Sequence, residues 1–366
     1  MDHKPSSLSF AAIGHQDDWN KALQFANSVR ELKELKKLSL AQVKDVYKYI
    51  PPRTMFEVTM HSTNGGSRHG VYIETFISPD ELDTKHIHYN LQKVKEACLY
   101  AASLNIPIVS LGGLTSIMLE TTNNSFTQIN KSFFTTGNTL TAAFIIEGIK
   151  KACDFWDQPL GRSKLLIVGA TGDIGSACAR YFSGKTKALL LCSRQPGPLK
   201  KFAEELSQVD REIKFSTSIN ELLLEADIII CVASSILQQC DLSLLPSHAI
   251  ICDAGYPKNL EFSSEQNQKK IFWGGMGVVG SGFSFDPDYR QAIYQFPVSN
   301  ITHGCLLEAI VLSMEDRAEA FSTGRGNITA NAMKEILQCA STHGITTAPL
   351  FNASECYELT SQKIDI

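Results

Sequence analysis

Leu165-Leu166-Ile167-Val168-Gly169-Ala170-Thr171-Gly172-Asp173-Ile174-Gly175-Ser176 is the stretch that decides the fold. Four apolar residues in a row read as a buried strand. The glycine-spaced turn follows, and the residues from Ser176 onward read as a helix. A strand that runs through GxxGxxG into a helix suits a dinucleotide. Glycine lets the chain turn sharply and approach a pyrophosphate, and the helix N-terminus offers free N–H groups and a positive dipole end. Gly169, Thr171, Gly172, Asp173, Ile174 and Gly175 are therefore expected at the cofactor. The plain alternative is a structural turn, and the strand and helix on either side argue against it.

The next strand, Ala188 to Cys192, ends in Ser193-Arg194. A site for NAD usually places an acid about 20 residues past the glycines, on the ribose hydroxyl. Here a hydroxyl and a guanidinium stand instead, which suits a 2′-phosphate. The expected cofactor is NADPH, held in part by Ser193 and Arg194; a surface arginine is the alternative. Two further apolar strands end in Val232-Ala233-Ser234 and Asp253-Ala254-Gly255-Tyr256. Val232, Ala233, Ser234, Gly255 and Tyr256 are expected at the ligand edge of the sheet. Strands alternate with amphipathic helices from Lys164 to Gly275, which predicts a parallel sheet with crossover helices.

Working outward, residues 15–50 read as helices. Met55 to Met60 and Gly70 to Ile77 read as strands around the turn Asn64-Gly65-Gly66. A helix over Ile87 to Leu104, a buried strand over Ile106 to Leu111 and a connector helix over Thr139 to Trp156 follow. After Gly282 the pattern turns helical, with helices over Cys305 to Phe321 and Ala330 to Thr342. The expected fold class is α/β: a Rossmann-type doubly wound parallel sheet, an N-terminal α/β substrate domain and C-terminal helices. The expected domains are 1–160 for substrate with the connector helix, 161–282 for NADP, and 283–366 for a helical segment. Two domains with an extension suit a chain of 366 residues.

The formal net charge of −4 argues against a nucleic-acid partner. No apolar run is long enough for a membrane span, and the N-terminus lacks a signal core. The ten cysteines form no CxxC pair and no metal-like spacing. No metal site is expected, and a reducing cytoplasm is the expected compartment.

The candidate for chemistry is Cys305, in Thr302-His303-Gly304-Cys305-Leu306-Leu307-Glu308-Ala309. A thiol in the first turn of a helix is expected to have its pKa lowered. A thiolate beside a nicotinamide suggests attack on a thioester, a covalent acyl-enzyme and hydride reduction to an aldehyde. A small core cysteine is the alternative. Weaker candidates are His69 as a proton donor, Gly112-Gly113 with Thr115-Ser116 as an oxygen cradle, and Lys258 near a phosphate. The Tyr-x-x-x-Lys pairs Tyr181/Lys185 and Tyr89/Lys93 read as chance.

The chain resembles the long-chain acyl-[acyl-carrier-protein] reductases, the aldehyde-forming partners of cyanobacterial alkane synthesis. The resemblance runs in order through Ile13-Gly14-His15, His69 to Glu74, Leu111 to Ile117, Phe134-Thr135-Thr136-Gly137-Asn138-Thr139, the glycine loop, Asp253 to Leu260, Cys305 to Ala309 and Gly324 to Thr329. It implies that Cys305 is the nucleophile, that the donor is a fatty acyl-carrier protein with acyl-CoA as a second donor, and that an oxygenase consumes the aldehyde. The stretch Gly274 to Phe283 is richer in glycine than the family pattern and reads as a loop bordering the acyl pocket or as a flexible connector. A dehydrogenase of small hydroxy or oxo acids and a non-catalytic NADP(H)-binding regulator remain as alternative readings.

Overall fold

A computed structural model describes residues 8–83, 85–121, 126–209, 212–233, 242–256, 258, 270–289 and 296–358. The first sheet draws on β1 (Phe10–Gly14), β2 (Arg53–His61), β3 (Ser67–Glu74), β4 (Ile108–Leu111), β5 (Gln128–Ile129) and β6 (Ser132–Thr135). The second holds β7 (Lys164–Val168), β8 (Ala188–Cys192), β9 (Ile213–Ser216), β10 (Ile228–Cys231), β11 (Ile250–Asp253) and β12 (Lys270–Trp273). Beyond them lie β13 (Met276–Val279), β14 (Phe283–Asp286), β15 (Ile301–His303) and β16 (Ile345–Thr347).

The second sheet is parallel throughout and runs β9-β8-β7-β10-β11-β12. That is the order of a dinucleotide-binding Rossmann sheet, with its switch point between β7 and β10. Every residue of β8, β10 and β11 is buried, because helices and loops cover both faces. Leu165 and Ile167 pack on one side with the connector helix Asn138–Phe155, while Leu166 and Val168 pack on the other. The fold is α/β.

The first sheet is mixed, in the order β14-β2-β3-β1-β4-β6-β5. Its central strand, β1, is wholly apolar with two alanines and shows no alternation, so periodicity does not reveal it. Alternation across β1, β3 and β4 divides the sheet's two faces. Ala11, Ile13, Val71, Ile73, Val109 and Leu111 pack against the helix Ile87–Ser103. Phe10, Ile108 and Tyr72 face the helix Gly304–Met314, which carries Cys305. That helix lies between the first sheet and the connector helix, with Leu307 and Ala309 to Leu312 fully buried.

The C-terminal third differs from the helical expectation. Phe283 and Phe285 point inward while Ser284 and Asp286 are exposed, the period-two pattern of a strand, and β14 returns to pair with β2. The strands β15 and β16 flank β13 in a third, antiparallel sheet. The helix that begins at Gly304 ends at Met314, short of Phe321, because Asp316 takes a left-handed backbone at φ 53°. The glycine-rich stretch is neither loop nor flexible connector over Met276–Val279. It is the strand β13, and a Cβ on Gly277 would stand 2.7 Å from both Leu307 and Phe144. Small residues occur there because the strand threads between two helices. Among the described residues no helix is long and apolar enough to cross a membrane.

Candidate active site

The nucleotide crevice forms where β7 and β10 end side by side. Gly169 has φ +90°, and a Cβ there would press on Val232 and Ala233 at 3.1–3.2 Å. A Cβ on Gly175 would collide with the carbonyl of Gly169. The turn thus has no room for side chains at either glycine, which is the cradle a pyrophosphate requires. Gly172 caps the helix Asp173–Phe182 and donates to the Gly169 carbonyl at 2.9 Å. Thr171 and Ser193 share a hydrogen bond of 2.6 Å, which joins the glycine turn to the end of β8. Arg194 beside them is exposed.

Two residues of the turn do something else with their side chains. Ile174 packs into the apolar core, and the Asp173 carboxylate accepts from Asn138 Nδ2 at 2.9 Å and from the Gly326 N–H at 2.8 Å. Only their backbones are left for a phosphate. Gly255 is buried, with its N–H donating to Asp253 Oδ1 at 3.1 Å. Ser234 lies outside the described residues, as do Pro257 and Asn259.

Cys305 is the second residue of its helix and is half-buried. The turn Gly112-Gly113 forms a wall beside it: a Cβ on Gly112 would stand 3.5 Å from the thiol sulfur. Burial pushes the thiol up to about 11, and hydrogen bonding from the backbones of Leu306, Cys305 and Gly113 offsets only part of that rise. The lowering expected from the helix N-terminus is thus outweighed by desolvation. His303 is pushed down to about 3 by burial and by the nearby Lys258 and Lys21, so its ring is neutral. His15 is also held neutral by burial and accepts the Leu114 N–H at 3.0 Å. The Tyr256 ring stands edge-on to both histidines, at 5.7 Å from His15 and 5.5 Å from His303.

Within the string Thr135 to Thr139, Gly137 occupies the cap position of the connector helix in a left-handed conformation, with no side-chain cap. The side chains bind three segments together. Thr135 Oγ1 donates to Glu308 Oε1 at 2.5 Å and accepts from the Ser322 N–H at 2.9 Å. The Leu140 N–H donates to Glu308 Oε2 at 3.0 Å. Ser322 Oγ donates to Thr139 Oγ1 at 2.6 Å. Glu308 is fully buried, and desolvation raises its carboxyl above the usual range.

The weaker candidates divide: His69 lies apart from Cys305, whereas the Gly112-Gly113 turn borders its thiol. His69 shares a hydrogen bond with Thr59 and sits five residues before Glu74 on β3, away from the strand end near Cys305. Lys258 Nζ donates to the carbonyls of Asp253 at 3.0 Å and Gly274 at 3.4 Å. Lys185 covers the Tyr181 ring, and Lys93 donates to the Ile50 carbonyl. Thr115 Oγ1 donates to the Gly112 carbonyl at 2.8 Å, which braces the turn. Sequence reasoning gave no role to His15, Glu74, Glu308 or Ser322. For Ser322 no sequence signal exists; for Glu74 the signal was an acid closing an apolar strand.

Among known proteins, no family model matches the chain. The long-chain acyl-[acyl-carrier-protein] reductase of Synechococcus elongatus is 32% identical over 305 residues, which cover 80% of this chain and 87% of the relative. Solved structures give distant likenesses. L-tryptophan dehydrogenase from Nostoc punctiforme has a TM-score of 0.39 and 17% identity over 92% of this chain and 80% of its own. Quinate dehydrogenase from Corynebacterium glutamicum, in complex with NAD, has a TM-score of 0.36 and 12% identity over 72% of this chain and 87% of its own. The extended identity to the Synechococcus enzyme and the Rossmann crevice beside a walled thiol lead to one assignment: the chain belongs to the long-chain acyl-[acyl-carrier-protein] reductase family and is an NAD(P)-dependent reductase.

Proposed function

We propose that the protein reduces a long-chain fatty acyl group, carried on acyl carrier protein, to a fatty aldehyde with NADPH, through a thioester on Cys305. The observation that carries this reading is the position of Cys305. Its thiol is half-buried at a helix N-terminus, against the Gly112-Gly113 turn, with two neutral histidines nearby.

The residues fit a dinucleotide, since the Gly169 and Gly175 positions have no space for a Cβ and the helix at Asp173 opens onto the turn. Ser193 and Arg194 would hold a 2′-phosphate, which favours NADPH over NADH. The bound cofactor supplies a hydride. Cys305 supplies the nucleophile: its sulfur attacks the acyl carbonyl, the carrier thiol leaves with the proton, and the acyl group stays on the enzyme. In this reading neutral His303, two residues before Cys305, accepts the thiol proton during attack. Backbone groups of Leu306, Cys305 and Gly113 hydrogen-bond toward the Cys305 sulfur and would be the donors to an oxyanion formed beside it. In this reading residues 1–160 and the Cys305 helix enclose the acyl chain, and residues 161–282 hold NADPH. Cys98, Cys153, Cys178, Cys192, Cys252, Cys305 and Cys339 are free thiols, which suits work in a reducing cytoplasm.

The test is intact-protein mass after mixing with palmitoyl- or stearoyl-carrier protein without NADPH, for the wild type and Cys305→Ala. The expected result is an acyl mass on the wild type alone, discharged as aldehyde when NADPH is added. A wild type that stays unmodified while turning over thioester would overturn the covalent route.

A further inference from the structure

Glu74 is a fully buried carboxyl that the reaction above does not use. It closes β3, opposite Gly14 of β1, and Ile13 in turn pairs with Leu111 of β4. The ends of these three parallel strands therefore share one edge, the edge that carries His15 and the Gly112-Gly113 turn beside Cys305. Strand alternation puts Tyr72 and Glu74 on the face that packs against the Cys305 helix, where Tyr72 joins the cluster containing Leu307 and Ile310. Tyr72 donates to Glu74 Oε2 at 3.0 Å, Gln16 Nε2 donates to the same oxygen at 2.8 Å, and the Phe76 N–H donates to Oε1 at 3.2 Å.

The groups facing Glu74 are Gln16 after β1, Tyr72 on β3 and Tyr47 from the helix Leu40–Tyr47, and Tyr256 from the loop after β11 interacts in turn with Tyr72 and Tyr47. Arg53 lies opposite in the β2 register but is exposed. The Tyr47 hydroxyl is buried and has no hydrogen-bond partner among the described residues. Tyr256 donates to the His15 carbonyl at 3.5 Å, so the hydroxyl cluster reaches the histidine that lines the thiol's wall.

We propose that the Glu74–Tyr72 pair is the proton reservoir of this site, a role that rests on the thioester reading. The acylation half-reaction is proton-neutral, because the proton of Cys305 leaves on the carrier thiol. The reduction half-reaction is not: thioester and hydride give aldehyde and the Cys305 thiolate, which must take up one proton to restore the thiol. Glu74 is a buried acid that can hold that proton out of bulk water and pass it through Tyr72 and Tyr256. Its carboxyl is pushed up to about 7, mainly by desolvation, which matches the task. Glu74 is a positioning residue in this scheme, since it acts through the tyrosines.

Two measurements test it on the full chain, with Glu74→Gln and the milder Tyr72→Phe. Infrared difference spectra across pH should show a carboxylic acid band that titrates near neutrality in the wild type and is missing in Glu74→Gln. Single-turnover reduction of pre-acylated enzyme should slow about tenfold per pH unit on the alkaline side in the wild type. In Glu74→Gln that limb should vanish and the neutral rate should fall roughly tenfold, while the acyl mass stays stoichiometric. Tyr72→Phe should shift the band and lower the rate with acylation intact. An unchanged pH profile in both variants, or an unchanged infrared titration in Glu74→Gln, overturns the proposal. No acyl mass on the wild type would overturn the thioester reading and this role with it, and the infrared band would then report a buried acid of another function.

Discussion

Gly137 and Cys305 touch backbone to backbone: a Cβ on Gly137 would collide with the Cα, carbonyl carbon and carbonyl oxygen of Cys305. The turn that starts the connector helix is therefore the floor on which the thiol stands. Its φ of +69° is also one that favours glycine. Sequence similarity marked the Thr-Thr-Gly-Asn-Thr string, and the packing gives a physical reason for its glycine.

Gly137→Ala should displace the first turn of the Cys305 helix. A misplacement of about 1 Å in a reacting group can cost roughly 100-fold in rate. We expect acylation of Cys305 to fall by about that factor, while NADPH binding, followed by cofactor fluorescence, stays within about twofold because the Gly169 turn is untouched. Equal loss of both would show that the substitution unfolds the chain rather than moving the thiol.

Glu308 should make stability depend on pH. Its carboxyl is raised in the folded state, so it binds its proton more tightly there than in the unfolded chain. The stability it contributes is complete below the unfolded pKa and is lost as pH rises through the folded one. Chemical denaturation of the wild type should show that fall as pH rises above the usual carboxylate range, and Glu308→Gln should flatten it. A wild type and variant with parallel pH curves would mean that Glu308 does not titrate over this range.

The nucleotide sheet was legible because each of its signals is local. Glycines 169, 172 and 175 link an apolar run to a helix, β8 and β10 are unbroken apolar runs, and β11 is one up to Asp253. The neighbourhood of Cys305 was legible only in part. Cys305 carried a local cue, its place at a helix start. His15, Glu74 and Ser322 reach the site through pairings between strands and segments distant in sequence, and no spacing rule encodes them. The strand β13 was hidden for a different reason. Its glycines are demanded by the Leu307 and Phe144 side chains on either side, a tertiary constraint that resembles a loop when read locally.

Arg194 gives a test of cofactor choice. It is exposed at the end of β8, and Ser193 beside it is fixed by Thr171 at 2.6 Å. A charged hydrogen bond to a phosphate contributes about 1.5–3 kcal/mol. Arg194→Ala should therefore raise the KM for NADPH by roughly 10- to 100-fold and leave that for NADH nearly unchanged. Ser193→Asp should go further and favour NADH, since an acid there accepts the ribose hydroxyl and repels a phosphate. A similar rise for both cofactors would place Arg194 elsewhere than on the 2′-phosphate.

The free enzyme's thiol should be a poor nucleophile until the site is engaged. With Cys305 pushed up to about 11, only roughly one thiol in ten thousand is ionised at neutral pH. Iodoacetamide should therefore modify Cys305 more slowly than a free cysteine, whose pKa is near 8.5. The rate should climb about tenfold per pH unit well past pH 9. Cys305→Ala supplies the background from the other thiols. His303, neutral from about pH 4 upward, should leave no step of its own in that profile. Thioester attack then requires proton removal in the same event, and His303→Gln should slow acylation while sparing alkylation at high pH. An alkylation midpoint below that of a free cysteine would reverse the balance drawn here: the helix N-terminus would outweigh desolvation, and the thiolate would stand ready before the acyl donor arrives.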